Sequence, residues 1–154
     1  PRMSIEEVIQ TFEVIAALEG LSGQLAAQRA SPEQLLRVQK LQSDMEAAHQ
    51  RGNLSRYYSL NSDIHSLIAE ASHNPVLKEN YCAINARLQS LRFRSNLNQS
   101  KWDKAVREHA QIARALTRRD GEKLATLLIA HLKAKCDIVV DLLKEEQLQS
   151  EQTK

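Results

Sequence analysis

Hydrophobic residues recur every three or four positions along almost the whole chain, which is the spacing of amphipathic α-helices. Residues that break helices are scarce, since the 154 residues include only four glycines and three prolines. An all-β domain needs a turn every few residues, and this chain lacks the turn formers. The pattern therefore predicts an all-α fold, and the length suits a single domain over residues 1–154.

Cap residues and short breaks divide the pattern into six predicted helices. Their expected ranges are about 4–30, 32–50, 54–72, 76–96, 100–119 and 121–147. Ser100 is the expected N-cap of the fifth helix, and the tail from Ser150 to Lys154 is expected to fray. Because the connections are short, consecutive helices should run antiparallel, as in an up-and-down bundle.

The first helix is apolar on two sides, although a surface helix needs only one apolar face. One stripe comprises Ile5, Val8, Ile9, Phe12, Ile15 and Ala16, and the other comprises Val14, Ala17, Leu18, Leu21 and Leu25. The second stripe indicates either a central position in the bundle or a dimer interface.

Three histidines, His65, His109 and His131, lie on the apolar stripes of the third, fifth and sixth helices. Each imidazole is therefore expected to face the interior, and Asn61 lies one turn before His65 on the same face. Burying an unpaired polar group costs about 1–3 kcal/mol, so each histidine needs a partner. One divalent transition metal, with zinc or nickel as the expected ion, would satisfy all three. Three separately hydrogen-bonded core histidines are the alternative.

A second metal pattern is also present. Two Glu-x-x-His pairs, Glu46 with His49 and Glu70 with His73, form half of the di-iron signature of ferritin-like bundles. Both pairs lie at helix ends and off the apolar stripes, and Glu19 is the only acid on an apolar stripe of the first helix. Solvated helix ends are the favoured interpretation of these pairs.

The basic residues are concentrated in one segment. The net charge of +2 demands no particular partner, but residues 87–119 hold nine Lys and Arg against two acids, a local excess of +7. Such a run is usually a solvated face. Within it, Arg92 and Arg94 flank the inward-facing Leu91, and we expect one of them to pair with a carboxylate ligand beside the metal.

The remaining features limit the class of protein. Cys82 and Cys136 have no neighbouring Cys or His at metal-binding spacing, so both are expected to be buried structural thiols. Two cysteines do not make a disulfide framework, which favours the reducing cytoplasm. No apolar run approaches the roughly 18 residues of a membrane span, so no membrane association is expected.

Several short motifs occur in one order along nearly the whole chain. They are FEV at 12–14, LE at 18–19, LAA at 25–27, YYSLNSDIH at 57–65, ASHNPVL at 71–77, EHxxI at 108–112 and AHL at 130–132. With these motifs the chain resembles the C-terminal effector-binding domain of GntR-type bacterial transcription regulators, in the FadR-like subgroup.

The resemblance implies an all-α bundle that binds a divalent metal through an Asp or Asn and three His. By position, these ligands are Asn61, His65, His109 and His131, and a small organic acid effector binds beside the metal. Family members are generally homodimers that bind DNA through an N-terminal winged helix-turn-helix domain, which we expect to be absent from this chain. The resemblance thus implies a regulatory domain and not an enzyme.

Two positions depart from the family pattern. Many relatives carry Asp where this chain has Asn61, and Asn is a neutral and weaker oxygen ligand. Many also carry an effector-binding Arg at the position of Ile15, so Arg92 or Arg94 would have to supply the clamp for the carboxylate.

Two other functions fit the same residues. Three His and one oxygen ligand with open positions also describe a catalytic metal centre, for which Glu19 and Glu108 are the candidate acids. Because Glu108 is adjacent to the inward His109, it is expected to point away. The third possibility is a metal-free helical dimerisation module whose core histidines are hydrogen-bonded.

Overall fold

The structure is a computed structural model that describes residues 2–153 and contains six α-helices and no β-strand in that range. The helices are α1 (Ile5–Arg29), α2 (Pro32–Gln50), α3 (Leu54–Ala71), α4 (Pro75–Arg94), α5 (Gln99–Thr117) and α6 (Gly121–Gln152). The prediction of an all-α bundle of six helices is confirmed. No helix in this part of the chain is long and apolar enough to cross a membrane.

Every helix begins at a side chain that accepts a hydrogen bond from a backbone N–H of the first turn. The six N-cap residues are Ser4, Ser31, Asn53, Asn74, Asn98 and Asp120. Ser4 and Ser31 form complete capping boxes with Glu7 and Gln34. These local bonds satisfy donors that have no partner within the helix, which is why most of the helix starts were readable from the sequence.

Two helix ends differ from the prediction. Asn98, and not Ser100, caps α5, because its side chain accepts from the backbone N–H of Lys101. Helix α6 continues to Gln152, so the expected fraying is wrong for residues 150–152. No Gly or Pro interrupts this stretch, and the Ser150 hydroxyl donates to the Gln147 carbonyl one turn earlier. Lys154 lies outside the described residues.

Helix α1 is the central helix, since it contacts α3, α4, α5 and α6. Val8, Phe12, Ile15 and Ala16 of its first apolar stripe are buried, whereas Ile9 of that stripe is 38% exposed. Val14 and Leu21 of the second stripe are 49% and 42% exposed. Gly23 lets α6 approach closely, because a Cβ atom on Gly23 would lie 2.7 Å from Cδ1 of Leu128. The central position of α1 therefore rests on one apolar face and on glycine, and not on two apolar faces.

The buried polar residues lie where two apolar clusters meet. One cluster surrounds Tyr57, Ile112 and Leu128, and the other surrounds Phe12 and Leu132. On α1 the second cluster ends at Ala16 and the first begins at Ala26, with the buried Glu19 and Ser22 between them. On α6, His131 lies between Leu128 and Leu132. The bundle thus has a polar level in its interior.

Candidate metal centre

The three inward histidines converge at this polar level. His65 on α3, His109 on α5 and His131 on α6 are each at most 3% exposed, and one ring nitrogen from each lies within 4.8 Å of the others. The Nε2 atoms of His65 and His109 are 3.2 Å apart. Two nitrogens bound to one tetrahedral zinc at about 2.0–2.1 Å lie roughly 3.3 Å apart, so this pair has the spacing of shared metal ligands.

Carboxylates from other helices contact the Nδ1 atoms of two of the rings. Nδ1 of His65 lies 2.6 Å from Oε1 of Glu19 on α1, and Nδ1 of His131 lies 3.6 Å from Oε2 of Glu108 on α5. A carboxylate on one ring nitrogen fixes the tautomer and leaves the other nitrogen free to bind a metal. With its Nδ1 against Glu19, the His65 ring presents its Nε2 to His109.

Glu108 is the one acid whose predicted direction is wrong. It was expected to point away from the core because it is adjacent to His109, but it is half-buried and faces His131 across the α5–α6 contact. Two residues in succession on a helix point about 100° apart, which leaves a long Glu side chain free to reach the neighbouring helix.

Burial keeps His109 and His131 neutral, and neighbouring groups keep the Glu19 carboxylate charged. Burial lowers the pKa of His131 to about 4 and, helped by the charges of His131 and His65, lowers the pKa of His109 well below its usual value. Burial alone would raise the pKa of Glu19, but His65 and Arg92 outweigh it and lower that pKa to about 2. Near pH 7, His109 and His131 are therefore neutral and the Glu19 carboxylate is ionised, which are protonation states that suit metal binding.

The donor set fits a divalent transition metal. Neutral imidazole is a preferred ligand of zinc, nickel, copper and iron. His109 Nδ1 has no hydrogen-bond partner within residues 2–153, and the contact of its Nε2 is the 3.2 Å approach to Nε2 of His65. Asn61 is buried on α3 one turn before His65, which is where an oxygen ligand was expected; its coordination to a metal stays a prediction.

The structure separates the two candidate arginines. Arg92 is buried, with Nη2 4.0 Å from Oε1 of Glu19 and Nη1 donating to Asn85. Arg94 is partly exposed and pairs with Glu146 of α6 at the surface, so its guanidinium is not brought to the histidines. Residues two positions apart on a helix point about 200° apart, so both arginines cannot face the interior together.

Lys135 is a residue that the sequence analysis missed. It is 5% exposed and donates to Ser95 Oγ at 3.2 Å and to Asn96 Oδ1, both at the end of α4. Lysine is rarely buried, so its residue type gave no reason to place it in the core. The available signal was its position one turn after His131, which puts both side chains on one face of α6.

The other predicted features lie outside the cluster. His49 contacts Asp103 at 2.7 Å, His73 contacts Gln34 at 3.1 Å, and Glu46 and Glu70 are exposed, so the two Glu-x-x-His pairs do not form a shared site. Cys82 is exposed and Cys136 is only partly buried. The expectation of buried thiols is therefore wrong, most clearly for Cys82, because residue 82 follows the inward Tyr81 onto the outer face of α4.

Known proteins share this sequence pattern and this fold. The chain is 23% identical over 144 residues to the "Uncharacterized HTH-type transcriptional regulator YdhC" of Bacillus subtilis (strain 168), covering 93% of this chain and 64% of that protein. The chain therefore spans less than two thirds of the length of this relative, which is named as a transcriptional regulator and not as an enzyme.

Two solved structures share the fold. E. coli McbR/YncC superposes with a TM-score of 0.83 at 17% identity, over 92% of this chain and 72% of that one. Streptococcus agalactiae GntR superposes with a TM-score of 0.71 at 23% identity, over 84% of this chain and 58% of that one. The family model of the FCD domain matches residues 10–134, a range that holds all three clustered histidines and Asn61. The chain belongs to the FCD domain family, as its resemblance to the C-terminal domains of GntR-type regulators predicted.

Proposed function

We propose that this domain is the ligand-sensing part of a bacterial GntR-type transcription regulator. A divalent transition metal, zinc or nickel, is held by His65, His109 and His131 and binds a small organic acid at its open positions. The observation that carries the proposal is the convergence of three buried imidazoles from three different helices.

Other residues orient the ligands and the effector. Glu19 holds the His65 ring through Nδ1, and Asn61, one turn earlier on α3, supplies a neutral oxygen ligand. Bound there, the metal acts as a Lewis acid that attracts the effector carboxylate. Many relatives have an effector-binding Arg at the position of Ile15. In this chain the buried guanidinium of Arg92 takes that role and provides the second contact to the carboxylate.

Regulation follows from the helices that the site connects. The metal ligands come from α3, α5 and α6, so an effector that favours one packing of these helices over another shifts the population between them. In a cytoplasmic homodimer, that shift reaches DNA-binding domains that lie outside this chain. The effector must bind the two helix packings with different affinities, since equal affinities would leave their populations unchanged.

Metal analysis tests the site directly. Protein purified without chelator should contain about one zinc, nickel or similar ion per chain, and the double variant His109→Ala/His131→Ala should contain none, because two of three imidazole ligands are gone. The matched control is His49→Ala/His73→Ala, which removes two histidines that lie outside the cluster and should leave the metal content unchanged. Undiminished metal in the first variant would rule the site out.

A further inference from the structure

Lys135 is a buried cation without a buried counter-ion. Its ammonium group has three N–H donors, of which two go to the neutral oxygens of Ser95 and Asn96. Within residues 2–153 it forms no ion pair, and Glu108 acts on it only from a longer distance. A buried charge is costly unless it is paired, so neutral partners alone leave this lysine poorly compensated.

A second buried cation lies beside it. Arg92 lies in the last turn of α4, and Asn96, just after the end of that helix, accepts from Lys135 on α6. The charge of Arg92 acts on Lys135, and together with burial it lowers the pKa of the lysine to about 7. The nearest carboxylate to Arg92 is that of Glu19, which is already engaged with His65. The two cations therefore share a buried region in which Arg92 has only the carboxylate that it shares with His65, and Lys135 forms no ion pair within residues 2–153.

The position of this region relative to the histidines is set by helix geometry. His131 and Lys135 are one turn apart on α6, and side chains in this relation have Cβ atoms about 5–6 Å apart on the same face. A ligand with one carboxylate at the histidine cluster can therefore also bind Lys135 if it carries a second anionic group only a few bonds from the first.

We propose that Lys135, with Asn96 and Arg92, forms a second anion subsite, and that the effector is a short dicarboxylate whose two carboxylates bind at the histidine cluster and at Lys135. This inference rests on the proposed function, since it requires that the first carboxylate binds at the metal. The charge at Lys135 selects a dicarboxylate over a monocarboxylate of the same chain length.

Paired acids test the subsite by isothermal titration calorimetry on the zinc- or nickel-loaded chain. The pairs are malonate with propionate, succinate with butyrate, and glutarate with pentanoate. At least one dicarboxylate should bind about tenfold more tightly than its monocarboxylate partner, the gain expected from one added bond to a charged group. In Lys135→Met that advantage should vanish while binding of the monocarboxylate stays the same.

The variant is needed because a dicarboxylate can also chelate the metal with both of its carboxylates. An advantage that persists in Lys135→Met would come from chelation and would overturn the subsite, as would equal binding of both members of every pair by the unaltered chain. The matched control is Lys133→Met, an exposed lysine on the same helix, which should keep the full advantage.

The two proposals fail in different ways. Metal-loaded protein that binds no acid of any pair would overturn both the proposed function and the subsite. Binding of monocarboxylates without a gain for dicarboxylates overturns the subsite alone. Equal weakening of both members of a pair in Lys135→Met would show that the lysine has a structural role only, and the metal content and circular dichroism of that variant establish that it is folded.

Discussion

At the scale of single residues, the surroundings of Lys135 decide its charge. The ammonium is almost fully enclosed, and both of its hydrogen-bond acceptors are neutral. Burial first, and then the charge of Arg92, lower its pKa from about 10.4 in an unfolded chain to about 7. The folded protein thus holds this proton less tightly than the unfolded chain does.

This difference predicts how stability depends on pH. Between about pH 7 and pH 9.5 the unfolded chain binds more protons at Lys135 than the folded protein, so the free energy of unfolding should rise with pH, by up to about 1.4 kcal/mol per unit. Urea denaturation with the metal removed by a chelator measures this rise. Lys135→Met should flatten it, and an unchanged slope in that variant would mean that Lys135 does not titrate as described.

At the scale of the helices, local capping and long-range packing contribute separately. The start of α2 was readable because Ser31, Pro32 and Gln34 form a capping box with a proline at the first helical position. The start of α5 was misplaced because Asn98 and Ser100 are both good N-caps, and composition does not choose between them. The contact of α1 with α6 depends instead on how closely two helices approach.

A larger side chain at Gly23 should disrupt that contact. In Gly23→Val the new Cβ would lie 2.7 Å from Leu128 Cδ1 and 3.1 Å from Leu124 Cγ, which is too close. We therefore expect a loss of about 1–3 kcal/mol in the free energy of unfolding. Chemical denaturation measures the loss. Val has a slightly better helix propensity than Gly, so propensity alone predicts a small gain, and an unchanged or higher stability of Gly23→Val would contradict the packing argument. The control is Gln28→Val on the exposed face of α1, which should change the free energy of unfolding by no more than about 0.5 kcal/mol.

At the scale of the whole molecule, the site is a junction of helices distant in sequence. Helix α1 supplies Glu19, α3 supplies His65, α5 supplies His109, and α6 supplies His131 and Lys135. The three histidines and Glu19 are far apart in sequence, so an unfolded chain does not hold them together. A metal at the histidines therefore binds the folded state and not the unfolded one, and it stabilises the protein by mass action.

Thermal melting tests this linkage. Metal at about 100 times its Kd should stabilise the fold by about 2.7 kcal/mol, which raises the Tm by several degrees for a chain of this length. A strong chelator should reverse the increase, and His109→Ala/His131→Ala should show none. A Tm that is independent of both metal and chelator would instead support a metal-free dimerisation module with hydrogen-bonded histidines.

Periodicity in the sequence was sufficient to establish the six helices and to show that His65, His109 and His131 face inward, because a helix repeats every 3.6 residues and each residue type reports its preferred environment. Periodicity gives only the direction in which each side chain points around the axis of its own helix. How far each helix slides and rotates against its neighbours is decided by packing, and this brought Glu19 to His65, turned Arg92 and not Arg94 inward, and enclosed Lys135. Those contacts join residues that no local pattern relates, so only the tertiary structure could supply them.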